Sequence, residues 1–168
     1  MQLTDSYRAT NQQELSQIES YFNIELPIAY REFLLQNNGG SPTFHDYKIG
    51  GEYFDDVGWF FGIRNSEMTH DLKTENIEMK NRIPQHYFCI GISFGGNIIC
   101  LSLKEKEYGF VYRWDHEIEN YDGSPWEDNM LAIANSLPDF LNMLYSETHK
   151  HNLAIDRESQ MTISSLLK

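Results

Sequence analysis

Tyr87–Trp114 reads YFCIGISFGGNIICLSLKEKEYGFVYRW. Three runs within it, Tyr87–Ile92, Ile98–Leu103 and Phe110–Trp114, are short, rich in aromatic and β-branched residues and separated by glycine, which predicts strands. Gly95-Gly96-Asn97 reads as a tight hairpin turn between the first two, and Gly109 as a turn after Lys104–Tyr108. Outward from this meander, Thr43–Ile49 and Trp59–Ile63 supply further strands upstream, and Met130–Ala134 supplies one downstream. Ser66–Asn81 interrupts the pattern, where Met68, Leu72 and Met79 suggest a surface helix.

Helical signals flank the strands. Leu15, Ile18 and Phe22 recur on one face of a segment from about Asn11 to Phe22, preceded by the capping-box spacing of Thr10 and Gln13. Pro27 suits the first turn of a second helix, Tyr30, Phe33 and Leu34 give it a buried stripe, and Asn37-Asn38-Gly39-Gly40 ends it. Near the C-terminus, Ser136 and Asp139 repeat the capping box before the stripe Leu137, Phe140, Leu141 and Leu144. The sum is a single α+β domain: a mostly antiparallel central sheet with two N-terminal helices and a C-terminal helix packed on it. It spans residues 1–148, with 149–168 a polar tail or extra helix.

With 168 residues, 40% hydrophobic, the chain is long enough for one core. Its 13 Lys and Arg against 25 Asp and Glu give a formal charge of −12. Such a surface repels phosphate backbones and anionic lipid, so neither nucleic acid nor membrane is an expected partner; it suits a cationic partner, or a soluble protein that resists self-association. No apolar run approaches the ~20 residues of a membrane span. The N-terminal residues lack the layout of a secretory signal, and two cysteines in apolar segments suit a reducing compartment, so a cytoplasmic location is expected.

Catalytic and cofactor signals are weak. The glycine pairs Gly39-Gly40, Gly50-Gly51 and Gly95-Gly96 lack the strand-to-helix context of a phosphate cradle. The six histidines show no second ligand pair at metal spacing, so no metal or other cofactor is expected. Cys89 and Cys100 sit among apolar neighbours, where a thiol behaves as a small hydrophobe. A non-enzyme is the expectation, and a metal-dependent hydrolase the least favoured alternative.

Charge distribution says more. Asp115–Asp128, DHEIENYDGSPWED, holds six carboxylates and no Lys or Arg; Gly50–Ile63 holds Glu52, Asp55 and Asp56 and ends in Trp59-Phe60-Phe61. The Asp-Gly-Ser-Pro centre of the first is loop chemistry, so its charges are expected in solvent. Carboxylates beside aromatic anchors suit a basic protein partner, because charge steers the encounter and rings supply desolvated contact area. The candidate partner-binding residues are therefore Asp55, Asp56, Trp59, Glu117, Glu119, Asp122, Trp126, Glu127 and Asp128. The alternative is a solvated acidic loop, with Trp59 and Trp126 in the core.

The order of motifs resembles the SUKH superfamily, which includes bacterial immunity proteins and a yeast cell-wall regulator. Ile18-Glu19, Leu26-Pro27-x-x-Tyr30-x-x-Phe33-Leu34 and Asn38-Gly39-Gly40 look like its N-terminal signature. Phe61-Gly62-Ile63, Ile83-Pro84, Gly95-Gly96-Asn97-Ile98-Ile99-Cys100-Leu101, Gly109-x-Val111-Tyr112-x-Trp114-Asp115-His116 and Ala134-x-Ser136-Leu137-x-x-Phe140-Leu141 continue it. Coverage runs from about Glu14 to Tyr145. The resemblance implies an α+β fold and a non-enzymatic role: an immunity protein that neutralises a cognate polymorphic or contact-dependent toxin, often a nuclease or deaminase, by occupancy. A regulatory interaction module without a toxin is the alternative it leaves open. The motif residues read as caps, turns and core, so the family supplies a scaffold and no catalytic set.

Overall fold

A computed structural model describes residues 2–50, 53–64, 69–121 and 123–144. In chain order the elements are β1 (Leu3–Thr4), α1 (Gln12–Phe22), α2 (Ile28–Asn37), β2 (Ser41–Pro42), β3 (Asp46–Ile49), β4 (Tyr53–Asp56), β5 (Trp59–Phe60), α3 (Leu72–Glu78), β6 (Tyr87–Ile92), β7 (Ile98–Ser102), β8 (Val111–Trp114), β9 (Met130–Ala134) and α4 (Leu137–Met143). Strands β5 to β9 form one antiparallel sheet in sequence order, β3 and β4 make a separate hairpin, and β1 pairs with β2. The expected α+β domain is the fold observed.

The meander forms where its sequence places it. Ser93 N–H donates to Asn97 O at 2.8 Å and Gly96 takes φ +95°, so the turn closes on the residue that tolerates it. Strands β6 and β7 are buried along nearly their whole length. Both faces of the sheet's centre are therefore covered, which is why neither strand alternates apolar with polar. Cys89 and Cys100 stand directly opposite each other in this pair.

Several boundaries differ from expectation, and β3 for one begins at Asp46 and not at Thr43. Asn11, not Thr10, caps α1: its Oδ1 accepts from Gln13 and Glu14 N–H at 3.0 and 3.1 Å, while Thr10 Oγ1 donates to Glu14 Oε2. The Trp59–Ile63 strand shortens to β5 because Ile63 bonds elsewhere. Its N–H donates to Asn38 Oδ1 at 2.8 Å, and its carbonyl accepts from Asn38 Nδ2 at 3.0 Å. Asn38 is also the left-handed residue that ends α2 (φ 45°), so one buried side chain ties that helix to the segment after β5. The fit is close: a Cβ on Gly62 would lie 2.4 Å from Asn38 O.

Helix α3 begins at Leu72 because Asp71 caps it, accepting from Thr74 N–H at 3.0 Å; Met68 lies outside the described residues. Buried Asn76 then stands in for a strand. Its Nδ2 donates to Cys89 O and its Oδ1 accepts from Cys89 N–H, at 2.9 and 2.8 Å, where two-residue β5 no longer reaches β6. Ser136 caps α4 as expected, accepting from Asp139 N–H and donating to Asp139 Oδ2. Strand β4 was not expected, since its acidic residues hide the strand period. Residues 149–168, expected to form a polar tail or extra helix, lie outside the described residues. Among the described residues no helix is long and apolar enough to cross a membrane.

Candidate protein-binding face

Arg113 in β8 organises the end of the sheet nearest the acidic segments. Its side chain is only 5% exposed, and its Nε lies 2.5 Å from Asp55 Oδ2 while Nη2 donates to Asp115 Oδ2 at 2.8 Å. Asn97, in the β6–β7 turn, donates from Nδ2 to Asp55 Oδ2 at 2.9 Å, and its Oδ1 faces the backbone N–H and Nδ1 of His116. One buried guanidinium thus joins the two acidic stretches that are some sixty residues apart in sequence. Asp56, beside it, accepts from Phe94 N–H at 2.7 Å. Burial pushes the Asp56 carboxyl above its ordinary range; the Phe94 amide pulls it down and the neighbouring Asp55 raises it further.

The loop from Asp115 to Asn129 is fastened at two more points. Glu119 receives both Arg82 Nε (2.8 Å) and Nη2 (2.6 Å), which hold its carboxyl below the usual range, and Arg82 also lies over the Trp114 ring at 5.1 Å. Glu127 pairs with Lys104 and accepts from Tyr87 OH at 3.1 Å. The Lys104 contact lowers Glu127, while burial pushes the Tyr87 phenol up to about 12. The expectation that the whole acidic run faces solvent is therefore corrected. Glu119 is 8% exposed and turned inward, and Asp115 and Glu127 are each bound to a cation. Loop residues need partners when they sit against a core, and three basic side chains supply them, Arg113 from β8, Arg82 from the segment before β6 and Lys104 from just past β7.

What remains outward is compact. Glu117 and Asp128 are exposed, as are Tyr121 (75%), Ile118 (50%) and Trp126 (40%). Trp126 is held from within by its Nε1–H, which donates to Ile118 O at 3.2 Å. The tip of the β6–β7 turn adds Phe94, 71% exposed, standing edge-on to His45. Large apolar side chains held by hydrogen bonds in a fixed loop are what a protein partner can desolvate at low entropic cost.

The candidate residues thus divide. Asp55 and Glu119 are framework charges, and Asp56 lies at the rim beside Phe94. Glu117, Trp126, Glu127 and Asp128 share one loop, and Asp122 lies outside the described residues. Trp59 stands apart: the register runs Trp59, Ile92, Ile98, Trp114, Met130 across the sheet, placing it four strands from the loop's end, about 19 Å at ~4.8 Å per strand. There it is half-buried and stacked on His70 at 5.3 Å. Ile118, Tyr121 and Phe94 were not singled out by sequence reasoning. Apolar residues inside an acidic loop and next to a Gly-Gly turn, with no periodic partner, were the signal.

Among the described residues no three His, Cys, Asp or Glu side chains are placed to hold a metal ion. Cys89 and Cys100 are buried, and burial pushes the Cys100 thiol well above its usual range, away from the thiolate a nucleophile needs. A concavity of about 530 Å³ between α2 and α4 has mixed walls, apolar at Phe33, Phe44 and Leu141 and polar at Gln36 and Asn142, with one ionisable lining residue, Glu32.

Compared with known proteins, residues 9–143 match the model of the SMI1 / KNR4 family (SUKH-1). No curated protein matches the chain.

Proposed function

We propose, from the premise that the chain belongs to the SMI1 / KNR4 family (SUKH-1), that it is an immunity protein that neutralises a basic toxin by covering its active site. The observation that carries this reading is the loop of Asp115 to Asn129. Its Glu119, Glu127 and Asp115 carboxylates are paired with Arg82, Lys104 and Arg113, and its outward surface offers Ile118, Tyr121 and Trp126 beside Glu117 and Asp128. Three ion pairs pre-organise the loop, so little ordering remains to be done on binding. The free carboxylates speed the encounter with a cationic surface and the rings supply the buried contact. The partner's chemistry, a nuclease or a deaminase, is then blocked by occupancy, with no reaction in this chain.

The test is co-purification from the native cell, identification of the bound protein, and association kinetics with that protein. Glu117→Lys combined with Asp128→Lys slows association and flattens its dependence on salt, and the fold is unaltered by circular dichroism. Kinetics unchanged by this pair at low ionic strength would place the binding face elsewhere. A bound protein that lacks toxic activity favours the regulatory-module reading of the same face.

A further inference from the structure

The two edges of the five-stranded sheet are treated differently. On the β5 side, Gly40 and Phe60 exchange backbone hydrogen bonds at 3.0 and 2.9 Å, and Asn76 bonds both backbone groups of Cys89. That edge is closed. On the far side, among the described residues, β9 pairs only with β8 and no hydrogen bond reaches the outer side of Leu131 to Ala134. Its sequence, MLAIA, has no charge and no proline, the two common devices that keep an edge from pairing, and Leu131 and Ala132 are exposed. Acidic groups stand at both ends. Glu117 and Asp128 lie in the loop that enters β9 and Asp139 lies just past it; all three are exposed, and among the described residues none pairs with a cation.

We infer that the open edge of β9 receives an extended, positively charged segment of the partner as a sixth strand, its backbone bonding Leu131 to Ala134 and its basic residues meeting Glu117, Asp128 and Asp139. Strand addition takes its affinity from main-chain hydrogen bonds and its selectivity from flanking side chains. The acidic ends select the cationic segment over a second copy of this chain, whose own acids would face them. The inference rests on the protein-binding reading above and names its docking mode.

The experiment uses the full chain, 15N-labelled, with synthetic probes. The first is the blocked hexapeptide Lys-Val-Thr-Val-Thr-Lys, the second the same peptide with alternate amides N-methylated, the third Glu-Val-Thr-Val-Thr-Glu. Without probe, the outward amides of β9 exchange rapidly with solvent. The lysine peptide shifts the amide signals of Leu131 to Ala134 and slows exchange of the outward ones among them. The N-methylated peptide, unable to complete the ladder, loses this effect, and the glutamate peptide binds about tenfold more weakly at low salt. Leu131→Lys or Ala132→Lys, at exposed positions that spare the fold, weakens the lysine peptide by about tenfold. Slow exchange of the outward β9 amides in the probe-free monomer overturns the inference, since the chain then covers its own edge. So does a concentration-dependent dimer abolished by Leu131→Lys, and so does equal binding of the N-methylated probe. With the co-purified partner, loss on Glu117→Lys with Asp128→Lys but not on Leu131→Lys removes the edge and keeps the face; loss on neither removes both.

Discussion

Replacing Asp55 by alanine takes away the carboxylate that Arg113 Nε meets at 2.5 Å, and leaves a guanidinium that is 5% exposed and still paired with Asp115. Removing one partner of a buried pair costs roughly 3–5 kcal/mol, because the survivor stays desolvated without compensation. Asp115 remains in place and is 20% exposed, so the cost falls at the lower end, about 3 kcal/mol. For a chain of this size that is a fall in Tm of roughly 6–12 °C. Urea denaturation and calorimetry on parent and variant read it directly. A companion variant separates pairing from packing: Asp55→Leu combined with Arg113→Met removes both charges and returns stability to within about 1 kcal/mol of the parent. If Asp55→Ala costs less than about 1 kcal/mol, or the double variant is no better than the single one, Arg113 does not hold the β3–β4 hairpin to the sheet by charge. The outcome also bears on how the binding face is probed. Charge reversal at Asp55 perturbs the fold first, so a loss of binding there says nothing about contact.

Asn76→Ala strands the N–H and carbonyl of Cys89 in the interior and is expected to cost about 2–4 kcal/mol by urea titration, with faster amide exchange across β6. Gly62→Ala forces a methyl against Asn38 O and the Tyr7 ring, a loss of roughly 2–3 kcal/mol seen as a lowered Tm. The Glu119 carboxyl is held below its ordinary 4.5 by Arg82, so its contribution to stability is complete above pH 4.5 and lost as pH falls through the folded value. Asp56 is raised and runs the other way, easing a penalty as it protonates. Denaturation midpoints measured from neutral to acid pH therefore fall below 4.5 in the parent, and Glu119→Gln flattens that fall; an unchanged slope in the variant refutes the Arg82 assignment.

The meander was legible because each of its strands ends on a residue with few alternatives. Gly95-Gly96 turns it once, and the Gly109 N–H closes the next turn on Ser102 O. The helices were legible from their stripes, although the cap of α1 moved by one residue because Asn11 has the shorter reach to Gln13 and Glu14. Strand β4 was hidden, since Asp55 and Asp56 read as solvated charge until Arg113 and the Phe94 amide are brought to them from distant positions. The acidic run was legible as a segment, but sequence cannot tell an outward Glu117 from an inward Glu119. Two positions separate them, and only the place of Arg82 in space decides which is buried. Trp59 was grouped with the loop by proximity of charge along the chain, whereas the register puts the width of the sheet between them.

Cys89 and Cys100, facing each other across the centre of the sheet, make the molecule its own gauge of intactness. A thiol that is shut away from solvent reacts with an alkylating reagent only in molecules that have come apart there. The rate of labelling in mild denaturant then follows the opening of β6 from β7, with no reporter group added and no residue changed.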